Sequence, residues 1–136
     1  MIAAHTAAML ALLEGDDAPP ALVVLDGKVP SGVVAPYVLV YFATADPELA
    51  ESRPLTGSSQ RHVTRAYAHC VGLNGLASRM VADRVRTAWL DVVPAVAGRQ
   101  CMPIRREEGV QAERDEAIGA IAIDTVEVYR LESVPA

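Results

Sequence analysis

The chain has 136 residues, about half of them apolar and a fifth charged, with a net charge of −5. That length predicts one domain burying roughly two-thirds of its unfolded surface, and the composition excludes a disordered tail. The acidic excess supplies no counterion-release drive toward nucleic acid, and basicity rests on arginine, with Lys28 the only lysine. Two cysteines, Cys70 and Cys101, make no disulfide framework and suit a reducing compartment.

Residues 3–14 are rich in alanine and leucine and stop at Gly15, which predicts an amphipathic N-terminal helix. No positive residue precedes the apolar stretch, as a signal peptide requires. After the turn "DDAPP", the runs "ALVVLD" (21–26) and "APYVLVYFAT" (35–44) are β-branched and aromatic between Gly and Pro, the composition of strands. The longest uncharged run, Val29 to Ala45, is broken by Pro30, Gly32 and Pro36 and is barely long enough to span a bilayer, so it reads as part of a soluble protein. "DPELAESRPLTGSSQ", Asp46 to Gln60, has no apolar period and predicts a long loop or arm.

From Arg61 to Val71 the larger residues Val63, Tyr67 and Val71 alternate with Thr64, Ala66, Ala68 and Cys70. That pattern predicts a strand whose small face accepts closely packed helices. Asn74 is placed to cap a second helix, in which Leu73, Leu76, Ala77, Met80, Val81, Val85, Ala88 and Trp89 form the expected apolar stripe. Arg79, Asp83, Arg86 and Thr87 fall opposite, and Pro94 and Gly98 bound the helix. A weak strand over Met102 to Arg106, a charged loop "EEGVQAERDE" and a long strand from Ala120 to Glu132 complete the prediction. In the last strand Ile121, Ile123, Tyr129 and Leu131 lie on one phase and Val126 and Val128 on the other, which implies a bulge or a sheet covered differently on its two faces. The expected fold is α+β: a mainly antiparallel sheet with helices packed on one face, one N-terminal and one central, in a single domain over 1–136.

The chemistry-bearing residues do not assemble into a known constellation. On a strand, His69 and Cys70 point to opposite faces, and His62 and Cys70 lie about 26 Å apart, so the three cannot share a metal ion. A zinc site recruiting Cys101 and His5 is the remaining metal arrangement. No G-x-S-x-G elbow occurs, adjacent His69 and Cys70 diverge, and "GLNG" (72–75) lacks the order of a phosphate loop. The carboxylates at Asp16–Asp17, Glu107–Glu108 and within "ERDE" (113–116) read as solvated turns. The aromatics Tyr37, Tyr41, Tyr67, Trp89 and Tyr129 are too dispersed to form a base-stacking platform. The expectation is a non-enzymatic protein without cofactor or metal.

The sequence of elements is familiar as a whole. A short N-terminal helix, "PYVLVYF", a proline-rich excursion, "HVTRAYAHCVG", "ASRMVADRVRTAWLD", "P…GR" and a terminal "YRLESVP" resemble the tail terminator (tail completion, or minor tail) proteins of long-tailed phages, from about Ala21 to Pro135. The resemblance implies a subunit that assembles into a ring, commonly a hexamer, on the finished tail tube. The ring would stop tube polymerisation and present a surface to a head-completion or connector protein. It also implies a location in the virion tail after assembly in the host cytoplasm, with DNA only passing through the lumen, no membrane partner and no catalytic residues.

Ring closure requires two unlike patches on each subunit, and sheet edges and long loops are the natural suppliers. The residues expected at the interface are Asp46, Glu48, Arg53 and Arg61 on or beside the first arm, and Glu107, Glu108, Arg114 and Glu116 in the second charged loop. One rival expectation is a head-closure or other head–tail connector ring. A rival of a different class is a small α+β enzyme or ligand-binding domain with a site gathered from residues such as His62, His69 and Glu127.

Overall fold

A computed structural model describes the backbone of residues 1–45, 61–115 and 122–136, and the side chains of these outside 108–115. Elements run α1 (Ile2–Glu14), β1 (Val24–Asp26), β2 (Tyr37–Ala45), β3 (His62–Gly72), α2 (Gly75–Trp89), β4 (Arg99–Cys101), β5 (Arg105–Asp115) and β6 (Ala122–Pro135). The strands form one mixed, mainly antiparallel sheet in the order β1-β2-β3-β6-β4, with β5 also paired to β6. Both helices pack on one face, as the alternation in β3 predicts. The long loop expected at residues 46–60 lies outside the described residues.

The helix-facing surface is built from small residues. Ala66, Ala68 and Cys70 of β3 are fully buried there beside Val38 and Val40 of β2 and Tyr129 and Leu131 of β6. Short side chains let a helix axis come close to the sheet without leaving voids. Gly72 ends this row: a Cβ there would lie 2.3 Å from the Ser78 amide nitrogen and 2.6 Å from the Ala77 carbonyl carbon, both backbone atoms of α2. Asn74 then caps the helix, its side chain accepting from the Ala77 amide at 2.8 Å. One turn in, the Ser78 hydroxyl donates to the Cys70 carbonyl at 2.6 Å and meets the Thr125 hydroxyl at 2.8 Å, so a single side chain ties α2 to both β3 and β6.

This attachment sets the rotation of α2, and it differs from the stripe expected from the sequence. The buried positions are Ser78, Val81, Ala82, Val85 and Trp89, whereas Leu73, Leu76 and Met80 are 55%, 63% and 58% exposed. Leu76 and Met80 lie roughly 180° and 140° around the helix from Val85. The close approach at Gly72 and the hydroxyl bridge of Ser78 outweigh two large apolar side chains in choosing the face.

On α1, His5, Met9 and Leu13 recur every four residues and are completely buried. The Trp89 indole donates to the Met9 carbonyl at 2.9 Å, which joins the two helices, and its ring meets Tyr129 edge-on at 5.2 Å. Arg84 joins them again: it holds Asp16 at 2.7 Å and donates to the Pro20 and Ala18 carbonyls at 2.7 and 2.9 Å. That hydrogen bond holds the Asp16 carboxyl below its ordinary range. The N-terminal half of α1 is fixed by a polar contact, with His5 Nδ1 3.0 Å from the Thr64 hydroxyl and Nε2 2.7 Å from the Ser133 hydroxyl.

Three other elements depart from the sequence-based expectation. Strand β1 is limited to Val24–Asp26 of the expected run 21–26; it neighbours β2 but runs parallel to it, so residues 27–36 form a crossover. The charged segment 107–116, expected as a loop, is through Asp115 part of the strand β5; β6 offers it a hydrogen-bonding edge, and shifts in register between Glu107 and Val110 and again between Val110 and Glu113 absorb the mismatch. The weak strand expected at Met102–Arg106 is replaced by β4 before it and the start of β5 within it. The two apolar phases of β6 need no bulge against β3, because the pairing from His62–Ser133 to Gly72–Ile123 is continuous. They reflect a sheet covered on both faces in different ways: by helices on one side, and by the 27–36 crossover over part of the other, where Val33 and Ala35 pack on Tyr37, Leu39, Val71 and Ala122.

Two neighbouring glycines separate these effects. Gly72→Ala is expected to destabilise by about 1–3 kcal/mol or more, because the clash is with helix backbone. Gly75→Ala meets only the flexible end of Arg79 and is expected to be neutral or to stabilise by up to about 1 kcal/mol. Chemical denaturation of both variants gives the comparison.

Candidate functional site

The face of the sheet turned away from the helices carries the groups of greatest interest. At its lower part, as β3 and β6 approach their His62 and Ser133 ends, it holds a lattice of alternating charges. Arg61 pairs with Glu132 at 2.7 Å, Arg65 with Glu107 at 3.0 Å, and Arg130 with Glu132 at 3.2 Å and Glu107 at 3.7 Å. Each arginine is more than a third exposed, so individual pairs are worth at most about 1 kcal/mol in water. Their arrangement in a shared network, which fixes the direction of several guanidinium groups, matters more for presenting a patterned surface.

Higher on the same face, His69 Nδ1 lies 2.7 Å from the Asp124 carboxylate, and Tyr41 meets the imidazole edge-on at 5.4 Å. The carboxylate hydrogen bond raises the pKa of His69 above its ordinary value, against the opposing effect of burial. These two side chains form the polar floor of an apolar cleft of about 500 Å³, walled by the crossover residues Val29 to Ala35 together with Tyr37, Leu39, Val71 and Leu73. Among the described residues no hydroxyl or thiol is hydrogen-bonded to His69, so the dyad lacks the nucleophile that a triad would use. The sequence did not reveal Asp124 as a partner, because the contact runs diagonally across two strands whose register only the folded sheet defines: Val71 faces Asp124 and His69 faces Val126.

The residues proposed for a gathered catalytic site do not come together. His62 is on the helix-facing side, 4.7 Å ring to ring from His5, while His69 is on the opposite face and Glu127 is bound by Arg106 at 2.6 Å. His69 and Cys70 diverge as adjacent strand residues must. Among the described residues no group of three or more His, Cys, Asp and Glu side chains could hold a metal ion. Burial pushes the thiols of Cys70 and Cys101 up, Cys70 furthest, and the Cys70 thiol is turned to the Ala68 carbonyl at 3.7 Å. Such thiols are poor nucleophiles and poor ligands.

Of the expected interface residues, Arg61 and Glu107 are both in the charged lattice, and they are linked through Glu132 and Arg130. Asp46, Glu48, Arg53 and Glu116 lie outside the described residues, as do the side chains of Glu108 and Arg114. The sheet presents two open edges among the described residues: β2 beyond its three-residue pairing with β1, from Tyr41 to Ala45, and the outer side of β5. Leu76 and Met80 add an apolar surface that periodicity alone had assigned to the core. Among the described residues no helix is long and apolar enough to cross a membrane.

No protein-family model matches the chain, and no curated protein matches it. Among solved structures, a chain of the "Virion of native gene transfer agent (GTA) particle" superposes with a TM-score of 0.67 at 20% identity, over 93% of this chain and 92% of that one. A second solved chain superposes with a TM-score of 0.61 at 18% identity, over 98% of this chain and 95% of that one. The α+β fold, with its mixed sheet and two helices on one face, is therefore a fold that a virion particle also contains.

The dyad and the buried thiol can each be probed. Asp124→Asn removes the negative charge that holds the proton on His69 and, with burial now unopposed by that charge, is expected to bring the imidazole pKa down to the ordinary 6.5 or below, read by NMR titration of the ring. The stability that this pair contributes is present below pH 6.5 and fades as pH rises through the elevated value, so the variant's deficit is expected to be larger at pH 6 than at pH 9. Cys70 is expected to react with an aromatic disulfide reagent only at the rate at which the protein opens, orders of magnitude slower than in denaturant.

Proposed function

We propose that the protein is a structural component of a phage-type virion, and specifically a tail terminator that forms a ring on the end of the tail tube. The observation that carries this reading is the near-full-length superposition on a chain of a gene transfer agent virion. It agrees with the words of sequence that resemble tail terminators, from "PYVLVYF" to "YRLESVP".

The surface supports the reading in physical terms. A closed ring uses a heterologous interface, in which one patch of a subunit meets a different patch of the next. The open stretch of β2 and the outer side of β5 are at opposite sides of the sheet and differ in character: "YFATA" is uncharged, whereas "RREEGVQAERD" is densely charged. Edges of this kind accept strands or loops from neighbours. The arm over residues 46–60 and the end of the β5–β6 segment, with Asp46, Glu48, Arg53, Arg61, Glu107, Glu108, Arg114 and Glu116, are the proposed contact residues. The ring, of six copies by the family resemblance, meets the tube protein on one side and a head-completion protein on the other. DNA passes through its lumen, and the acidic net charge keeps the lining from trapping it. A terminator does its work by occupying a surface, so neither a metal nor a cofactor enters.

Purified protein added to unfinished tails is expected to bind the open tube end and to fix tail length, as seen by electron microscopy. Binding to filled heads alone would transfer the reading to a head-closure ring. The charge-reversed pair Arg61→Glu with Glu107→Lys is expected to leave the circular dichroism spectrum unchanged while reducing tube-end binding at least tenfold; full retention would remove these residues from the interface.

A further inference from the structure

The contact that seats the N-terminal half of α1 is a chain of polar groups whose middle is closed off from water, while His62 and Arg99 at its ends are half-buried. His5 and the hydroxyl-bearing Thr64 and Ser133 are all completely buried. Arg99 Nε donates to the Ser133 hydroxyl at 3.0 Å, and Arg99 Nη2 donates to the Ser133 carbonyl at 2.9 Å. At the other end, the Thr64 hydroxyl is 3.1 Å from His62 Nε2. The Ser133 hydroxyl accepts from Arg99 and has its own proton to donate to His5 Nε2. In that arrangement the neutral His5 carries its proton on Nδ1, which donates to Thr64, and Thr64 in turn donates to His62. The contacts between His5, Thr64, Ser133 and His62 are then all made with both imidazoles neutral.

An added proton breaks the run. On Nε2 of His5 it faces a hydroxyl already receiving a hydrogen bond from Arg99, and the Ser133 proton loses its acceptor inside the protein. Among the described residues the charge also has no counterion. The groups acting on His5 are the N-terminal ammonium of α1, His62 of β3 and Arg99 of β4, and each is positive or becomes so. Ser133 of β6 is neutral, and the neighbouring Glu132 projects to the opposite face, where Arg61 and Arg130 engage it. Burial is the largest cause, and together these groups bring the pKa of His5 down from 6.5 to about 4. The same causes, burial first, lower His62.

We propose that His5 and His62 form an acid-sensitive latch, and that protonating them releases the N-terminal half of α1 from the sheet while the sheet and α2 stay folded. A depressed histidine contributes its full stabilisation above pH 6.5 and loses it as pH falls toward 4. For His5 alone, the 2.5-unit difference weakens docking roughly 150-fold by pH 4. The other ionic anchors respond elsewhere. His69 with Asp124 gains from protonation, and Asp16 with Arg84 yields only below the ordinary carboxylate range. Release does not depend on the proposed place in a tail.

Trp89 is the only tryptophan, and its indole is bonded to Met9, at the boundary of the half of α1 that is released, so its emission reports water reaching that boundary. Between pH 7.5 and 4 the full chain is expected to show a red shift of Trp89 emission. Amide protection factors should fall in α1 and hold in β3 and β6. His5→Gln, whose amide does not titrate, is expected to abolish the transition, and His69→Gln, on the other face, to leave it in place. Protection that stays in α1 at pH 4, or that is lost from helix and sheet together, overturns the latch; so does an unchanged transition in His5→Gln. If that variant does not fold, ring NMR of the wild type decides: a His5 imidazole still neutral when α1 undocks also overturns it.

Discussion

The close approach of α2 to β3 governs the rest of the structure. It depends on a row of residues with almost no side chain, Ala66, Ala68, Cys70 and Gly72, and it is locked by Ser78 bonding across two strands. Once α2 is seated there, Trp89 at its far end is placed against Tyr129 and beneath α1, and Arg84 can reach the segment that leads into β1. The helical layer is thus referred to one strand–helix junction. The opposite face of the sheet is left free of helices, and it is there that charges, a cleft and open edges occur.

Where local chemistry decided the outcome, the sequence was legible. Small–large alternation in β3, the Asn74 cap and the β-branched run of β2 each appear where the residues indicate. Legibility failed where long-range partners decided. The apolar count on α2 could not show that a serine and a glycine would set its rotation, so Leu76 and Met80 were placed inwards when they face out. The charge density of residues 107–116 indicated solvent, and it does not reveal that β6 has a free edge long enough to recruit them as a strand.

The surface shows the same division. Arg61 and Glu107 could be selected as exposed charges, but their membership in a single lattice follows from β3, β5 and β6 lying side by side. His69 and Asp124 are separated by more than fifty positions and meet only through strand register. The histidines that looked suggestive in one short stretch are divided between two faces, one built into the seat of α1 and the other into the cleft floor. A motif read along a strand mixes two environments, and pleating sorts them.

The hydrogen bond from Ser133 to His5 spans 128 positions. A ribosome making this protein releases the first helix long before the strand that completes its seat exists. Until β6 arrives, α1 has neither Ser133 nor the wall formed by Tyr129 and Leu131, and the core around Met9 stays open to water. The helical layer consequently closes only after β6 has been made, at the entropic cost of a long loop closure. A nascent chain that has not yet made β6 carries an apolar helix without its full berth, a form that chaperones and proteases recognise.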